Sequence, residues 1–130
     1  MSPSIQLLKD RYLKNIKENP ELYIGIELEF PIVHTKGQPT DIEVSKDLMR
    51  FLVEALSLEV EKEDQNGIPI QLVEPMSQDR ILFEVSYTTL EFAFGKAKSI
   101  QEVEKRFRAY MEVIQEKLEE KNHAIQGWGI

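Results

Sequence analysis

Apolar residues alternate with glutamates through Tyr23–Phe30, and this alternation limits the possible folds more than any other feature of the sequence. Successive side chains of a β-strand point to opposite faces. The run is therefore predicted to be a strand whose apolar face consists of Ile24, Ile26, Leu28 and Phe30. Glu27 and Glu29 would then stand side by side on the opposite face. A fold with a half-buried sheet follows from this pattern.

A second alternating run, Thr89–Phe94, places Glu91 on the face opposite to its apolar neighbours. Glu84 lies in the preceding β-prone run, Arg80–Val85. Because Glu84 and Glu91 are seven residues apart, an odd number, an unbroken strand would put them on opposite faces. We therefore expect a bulge or turn near Ser86–Thr88 if both carboxylates line one site.

The other periodic segments predict three helices and further strands. The helices are expected from Ser4 to about Glu18, from a cap at Ser45 to Leu56, and from a capping box at Ser99 and Glu102 to about Asn122. The additional strands are expected at Leu58–Glu61, Ile68–Val73 and Ala124–Ile130, with a turn at Asp64–Gly67. This order predicts an α+β fold in which helices pack on one face of a largely antiparallel sheet. We expect a single domain spanning residues 1–130.

Charge and composition narrow the function classes. The net charge of −7 disfavours nucleic acid or an anionic membrane as the main partner. The absence of cysteine excludes disulfides and thiolate metal sites, and it fits a reducing compartment. The sequence shows neither a signal-peptide pattern nor an apolar run of membrane-spanning length, so we expect a cytoplasmic protein.

The glutamates suggest metal-dependent chemistry if they converge. Mutual repulsion among Glu27, Glu29, Glu84 and Glu91 would raise some of their pKa values unless divalent cations balanced the charge. Ligation by oxygen alone selects hard ions such as Mg2+ or Mn2+. These ions bridge nucleotide phosphates, so a carboxylate-lined sheet face suggests phosphoryl transfer. A solvated sheet face is the alternative interpretation, and the pattern alone does not separate the two.

Two motifs carry a family resemblance. Gly25–Phe30, with the sequence GIELEF, resembles the GxExEF strand of the glutamate-cysteine ligase and carboxylate-amine ligase superfamily. Tyr87–Phe92, followed by the long capped helix and by Asn122–Ile130, is similar to the matching stretch of the bacterial ligases related to bifunctional glutathione-synthesis enzymes. The resemblance extends from about Tyr23 to Ile130.

The resemblance implies a glutamine-synthetase-like catalytic fold that binds several Mg2+ ions and the triphosphate of ATP. Such enzymes phosphorylate the γ-carboxylate of glutamate, and the amine of cysteine then displaces phosphate. Glu27, Glu29 and Glu91 match metal-ligand positions of the motifs. Glu84 falls where relatives more often carry aspartate. Its longer side chain places the carboxylate farther out, so of the four glutamates it matches the metal-ligand pattern least closely. No catalytic or nucleotide-binding residue is assigned.

Ligases of this family are several times longer than this chain, which ends within a predicted strand. We therefore expect the N-terminal portion of a longer ligase, inactive by itself and able to self-associate, whose full-length form acts on glutamate, cysteine and ATP. Two alternatives remain at this point. One is a carboxylate-amine ligase with a different amine acceptor, and the other is a noncatalytic α+β binding or regulatory module.

A few further residues invite a role. Arg80 is expected either to bind a carboxylate or phosphate, or to form a structural ion pair. His34 is interpreted as a surface residue at a strand end, and His123 as a residue that packs at a loop or interacts with the helix dipole. Gly37 and Gly67 are interpreted as turn glycines.

Overall fold

The computed structural model describes residues 2–127, which form three helices and six strands. The helices are α1 (Pro3–Leu13), α2 (Ile42–Ala55) and α3 (Ile100–Glu119). The strands are β1 (Glu27–His34), β2 (Glu59–Glu63), β3 (Pro69–Val73), β4 (Arg80–Phe83), β5 (Thr89–Ala93) and β6 (His123–Ile125). The predicted order of elements is confirmed. The last three residues of the strand expected at Ala124–Ile130 lie outside the described part of the chain.

The six strands form one open sheet in the order β2-β3-β4-β5-β1-β6, and every pair is antiparallel. Helices α2 and α3 pack together over one face of this sheet. The buried core lies between the two layers and includes Leu48, Met49, Leu52, Leu72, Ile81, Leu90, Phe92, Val103, Ile114 and Leu118. The predicted α+β fold, with helices on one face of an antiparallel sheet, is therefore confirmed.

Aromatic packing between the sheet and α3 holds the two alternating runs in register. The ring of Phe30 stacks on Phe107 at a centroid distance of 5.7 Å and meets Phe92 edge-on at 5.9 Å. Phe107 also meets Phe92 edge-on at 5.5 Å. A slip of one residue in either strand would bury glutamates and expose these rings. The apolar face thus determines that the glutamates point away from the helices.

A buried ionic cluster joins the loop before β4 to α3. Asp79 is 2% exposed, and it accepts hydrogen bonds from Arg106 Nη1 at 2.5 Å, Tyr110 Oη at 2.8 Å and the Gly95 backbone N–H at 2.8 Å. Burial and the hydrogen bond to Asp79 raise the pKa of the Tyr110 hydroxyl well above its ordinary value. The periodicity of the sequence did not reveal this cluster, because Asp79 is 16 to 31 residues away from its partners.

Two helix boundaries differ from the prediction. Asp41, not Ser45, caps α2, because its carboxylate accepts the Glu43 N–H at 3.0 Å. Ser45 lies inside the helix, fully buried, and its hydroxyl has no hydrogen-bond partner among the described residues. Helix α1 ends at Leu13 instead of near Glu18, and none of its residues is buried.

Within residues 2–127, none of the helices is both long and apolar enough to span a lipid bilayer.

Candidate functional site

The four predicted glutamates lie on one face of the sheet, the face that carries no helix of the described chain. Glu29 of β1 lies directly opposite Glu91 of β5 in the antiparallel register. Glu27 is opposite Ala93, which places it on a diagonal to Glu91. Residues directly opposite each other have Cβ atoms about 5 Å apart, and diagonal neighbours remain within reach of long side chains. Glu91 is therefore the centre of the cluster.

The β4–β5 turn brings Glu84 to the same face. The Glu84 N–H donates to the Thr89 carbonyl at 3.0 Å and extends the ladder by one pair beyond β4. Glu84 thus lies on the other diagonal from Glu91. Between Glu84 and Thr89 the chain reverses through Val85, whose φ of 61° is unusual for a β-branched residue. The expected turn between Glu84 and Glu91 is confirmed.

The electrostatics of the cluster concentrate on Glu91. Its side chain is 9% exposed, and burial, followed by the negative charges of Glu84, Glu27 and Glu29, raises the pKa of its carboxyl above the ordinary 4.5. Arg80, on the same face, donates Nε and Nη2 to Glu61 at 2.7 and 2.9 Å. This is the structural ion pair considered from the sequence, and it directs the guanidinium to Glu61 instead of to the cluster.

The chemistry of these groups fits a hard divalent cation, although no three acidic or histidine side chains of residues 2–127 are already arranged as a metal-binding group. All four groups are carboxylates, which are the preferred ligands of Mg2+ and Mn2+. Like charges repel, so we expect the side chains to stand apart until a cation draws them together. A cleft of about 470 Å³ adjoins Glu27 and is lined also by Arg80 and Lys96.

The two histidines lie away from the cluster. His123 is 2% exposed, and its Nε2 accepts the Asp41 N–H at 3.0 Å while its Nδ1 contacts the Lys121 carbonyl at 2.8 Å. It therefore ties the start of β6 to the N-terminus of α2, and its packing at a loop is confirmed. The ring of His34 packs edge-on against it at 4.8 Å. Gly37 and Gly67 have φ values of 72° and 73°, as turn glycines require.

Replacing Glu91 with glutamine is expected to stabilise the metal-free protein at neutral pH. A raised pKa means that the folded state binds the proton more tightly than the unfolded state, so stability from this group is present below pH 4.5 and is lost as the pH rises through the raised pKa. The difference in unfolding free energy between Glu91→Gln and the wild type should grow as the pH rises above 4.5. It should level off at about 1 kcal/mol, the size of like-charge repulsion between facing strand residues, once the Glu91 carboxyl is ionised.

Urea denaturation with a chelator present, repeated across this pH range, measures the difference. Glu59→Gln is the matched control, because Glu59 is an exposed glutamate of the edge strand β2. Replacing this exposed side chain should change the unfolding free energy by no more than about 0.5 kcal/mol. A difference for Glu91→Gln that stays flat with pH would contradict the assigned repulsion.

Comparisons with protein families, with curated proteins and with solved structures found no match to this chain.

Proposed function

We propose that this chain is the N-terminal portion of an ATP- and Mg2+-dependent glutamate-cysteine ligase, in which it forms one wall of the metal site. The observation that supports the proposal best is the register of β1 and β5, with Glu29 opposite Glu91 and Glu27 on a diagonal. These are the positions that the resemblance assigns to metal ligands. The antiparallel sheet with one open face is also what a glutamine-synthetase-like fold requires.

In this proposal Glu27, Glu29 and Glu91 hold the metal ions, and Glu84 approaches from the β4–β5 turn. When bound, the ions would neutralise charge on the phosphoryl group that passes from ATP to the γ-carboxylate of glutamate. The role of the protein is to keep the carboxylates fixed on adjacent strands before the ion arrives, which reduces the reorganisation needed on binding. Rigid aromatic packing beneath the sheet supports this role.

The surroundings of the cluster also favour a small charged substrate. The cleft beside Glu27 contains Lys96 as well as Arg80, and both are cations that attract carboxylates and phosphates. Because Arg80 is already paired with Glu61, Lys96 is the cation we expect a substrate to meet first. The alternative function is a carboxylate-amine ligase that joins glutamate to an amine other than cysteine. It fits the same wall of the metal site, since none of these residues selects an acceptor amine.

A noncatalytic module is the less favoured function. It predicts glutamates scattered over exposed faces. Glu27 and Glu29 are indeed exposed, but Glu91 is buried and the charges of its three acidic neighbours act on its pKa. Retaining a buried carboxylate amid like charges lowers stability. A function that uses the charge, such as metal binding, offsets this disadvantage.

Metal titration of the full 130-residue chain tests the proposal. We expect Mn2+ to bind the wild type, and the double variant Glu29→Gln, Glu91→Gln to bind it at least about a hundredfold more weakly, since two charged oxygen ligands are lost. Electron paramagnetic resonance of free Mn2+ provides the measurement, and glutamine keeps the size of each side chain.

The matched control is the double variant Glu59→Gln, Glu63→Gln. Both residues are exposed glutamates of β2, which is separated from β5 by two strands. This variant has the same net charge as the first, so a general loss of negative potential would weaken binding equally in both. Equal Mn2+ affinity in the two double variants would refute the proposed site.

A further inference from the structure

The apolar side chains of α1 are exposed, and no residue of this helix is buried against the rest of residues 2–127. Ile5, Leu8 and Tyr12 follow one another at intervals of three and four residues, and they are 55%, 57% and 76% exposed. This spacing is the pattern by which an amphipathic helix inserts its anchors into a groove. Helix α1 has 11 residues and none of them is buried, although isolated helices of this length are marginal in water. A binding partner would supply the packing that α1 lacks.

A groove of suitable character runs along α3. Its first part, about 370 Å³, lies between α3 and the start of β1 and is lined by Ile26, Leu28, Ile100, Val103, Glu104 and Phe107. Its second part, about 720 Å³, shares Glu104 and Phe107 and continues along α3 past Met111 to Gln115. The groove therefore follows α3 from Ile100 for about four turns, or about 22 Å, which exceeds the length of α1. Its floor is apolar.

Charge favours a second copy of this chain as the occupant. Residues 2–18 contain four basic and two acidic side chains, whereas the whole chain contains 16 basic and 23 acidic ones. A basic arm is thus attached to an acidic body. Along the groove itself Glu104 is paired with Arg108, which leaves Glu112 as the acidic side chain without that pairing. Bodies of like charge repel, but the arm of one copy is attracted to the body of another. None of the residues of α1 is buried, so α1 does not fill the groove of its own chain.

We propose that two copies associate by exchanging helix α1, which lays Ile5, Leu8 and Tyr12 of each copy into the α3 groove of the other. Such an exchange is isologous, because the same arm and the same groove are used twice. It does not depend on metal binding and leaves the glutamate face of the sheet open. The proposal therefore stands or falls separately from the ligase function.

Sedimentation equilibrium over about 1 to 500 µM protein tests the exchange. We expect a monomer–dimer equilibrium for the wild type, and a dissociation constant about tenfold or more higher for Leu8→Glu. Leu7→Glu is the matched control, because Leu7 is a neighbouring leucine on the opposite side of α1 and is 72% exposed. It should change the dissociation constant by no more than about twofold. Neither exposed leucine supports the fold, so both variants should remain folded.

A variant in the groove distinguishes binding of α1 from a second copy from binding of the chain's own α1. Ile100→Glu alters a residue that is 61% exposed at the start of α3, where a carboxylate favours the helix. Alone it should weaken association as Leu8→Glu does, and an equimolar mixture of the two variants should associate more tightly than either variant alone. A monomer at every concentration, equal effects of Leu7→Glu and Leu8→Glu, or concentration-independent hydrogen-exchange protection of α1 would each overturn the proposal.

Discussion

Replacing Asp79 with alanine is expected to lower the free energy of unfolding by about 3 to 5 kcal/mol. The carboxylate is 2% exposed and receives hydrogen bonds from Arg106, Tyr110 and the Gly95 backbone. Its removal leaves the Arg106 charge, which is 18% exposed, without its counterion, and leaves two further donors unpaired. Urea denaturation followed by far-ultraviolet circular dichroism measures the loss.

Two variants calibrate this result. Tyr110→Phe removes one of the three donors and keeps the ion pair, so we expect a loss of about 1 kcal/mol. Asp47→Ala breaks the ion pair with Arg50, whose side chains are 68% and 46% exposed, and it should change stability by no more than about 0.5 kcal/mol. If Asp79→Ala were no more destabilising than Asp47→Ala, the cluster would not support the fold.

Local sequence patterns were sufficient to predict the order of elements and the faces of the strands. The alternation in β1 and β5 assigned Glu27, Glu29 and Glu91 to one face because the strand period of two leaves no other choice once one face is apolar. The Asp64–Gly67 turn was predicted correctly for a similar reason, since left-handed backbone at Gly67 is a local requirement. Even the turn between Glu84 and Glu91 followed from counting residues.

Contacts between distant residues were beyond these patterns. Asp79, Gly95 and Arg106 come from three segments, and no local spacing marks them as partners. The start of α2, which was expected at Ser45, was also decided by tertiary structure, because His123 accepts a hydrogen bond from the Asp41 backbone N–H four residues earlier. For helix α1, the local pattern predicted the helix but not its contacts. Its helical periodicity was read correctly, but periodicity does not reveal whether a partner covers the apolar side chains.

Part of the candidate site was predictable from the sequence, and part of it required the structure. Sequence placed three carboxylates on one face, but the central position of Glu91 depends on the register between β1 and β5. Register sets which residue lies opposite which, and it is determined by the packing of Phe30, Phe92 and Phe107 beneath the sheet. The identity of the most perturbed carboxylate therefore required the structure.

Replacing Gly95 with alanine is expected to destabilise the protein by about 3 kcal/mol, at the upper end of the range for overpacking. A Cβ atom at this position would lie 1.9 Å from the Ser77 carbonyl oxygen and 3.1 Å from the Gln78 carbonyl carbon. Both are backbone atoms, so the chain itself must move. The movement would also disturb the bond from the Gly95 N–H to Asp79, and the losses in Gly95→Ala and Asp79→Ala should therefore be less than additive.

Gly25→Ala is the matched control for Gly95→Ala. Apart from the chain neighbours, no described atom lies within 4 Å of a Cβ atom built at Gly25, and neither glycine has a positive φ, so left-handed backbone strains neither substitution. We expect Gly25→Ala to change the unfolding free energy by less than about 1 kcal/mol. Chemical denaturation of both variants and of the double variant Asp79→Ala, Gly95→Ala gives the comparison. Equal losses at Gly25 and Gly95 would contradict the close approach of Gly95, which follows β5, to the Ser77 carbonyl oxygen.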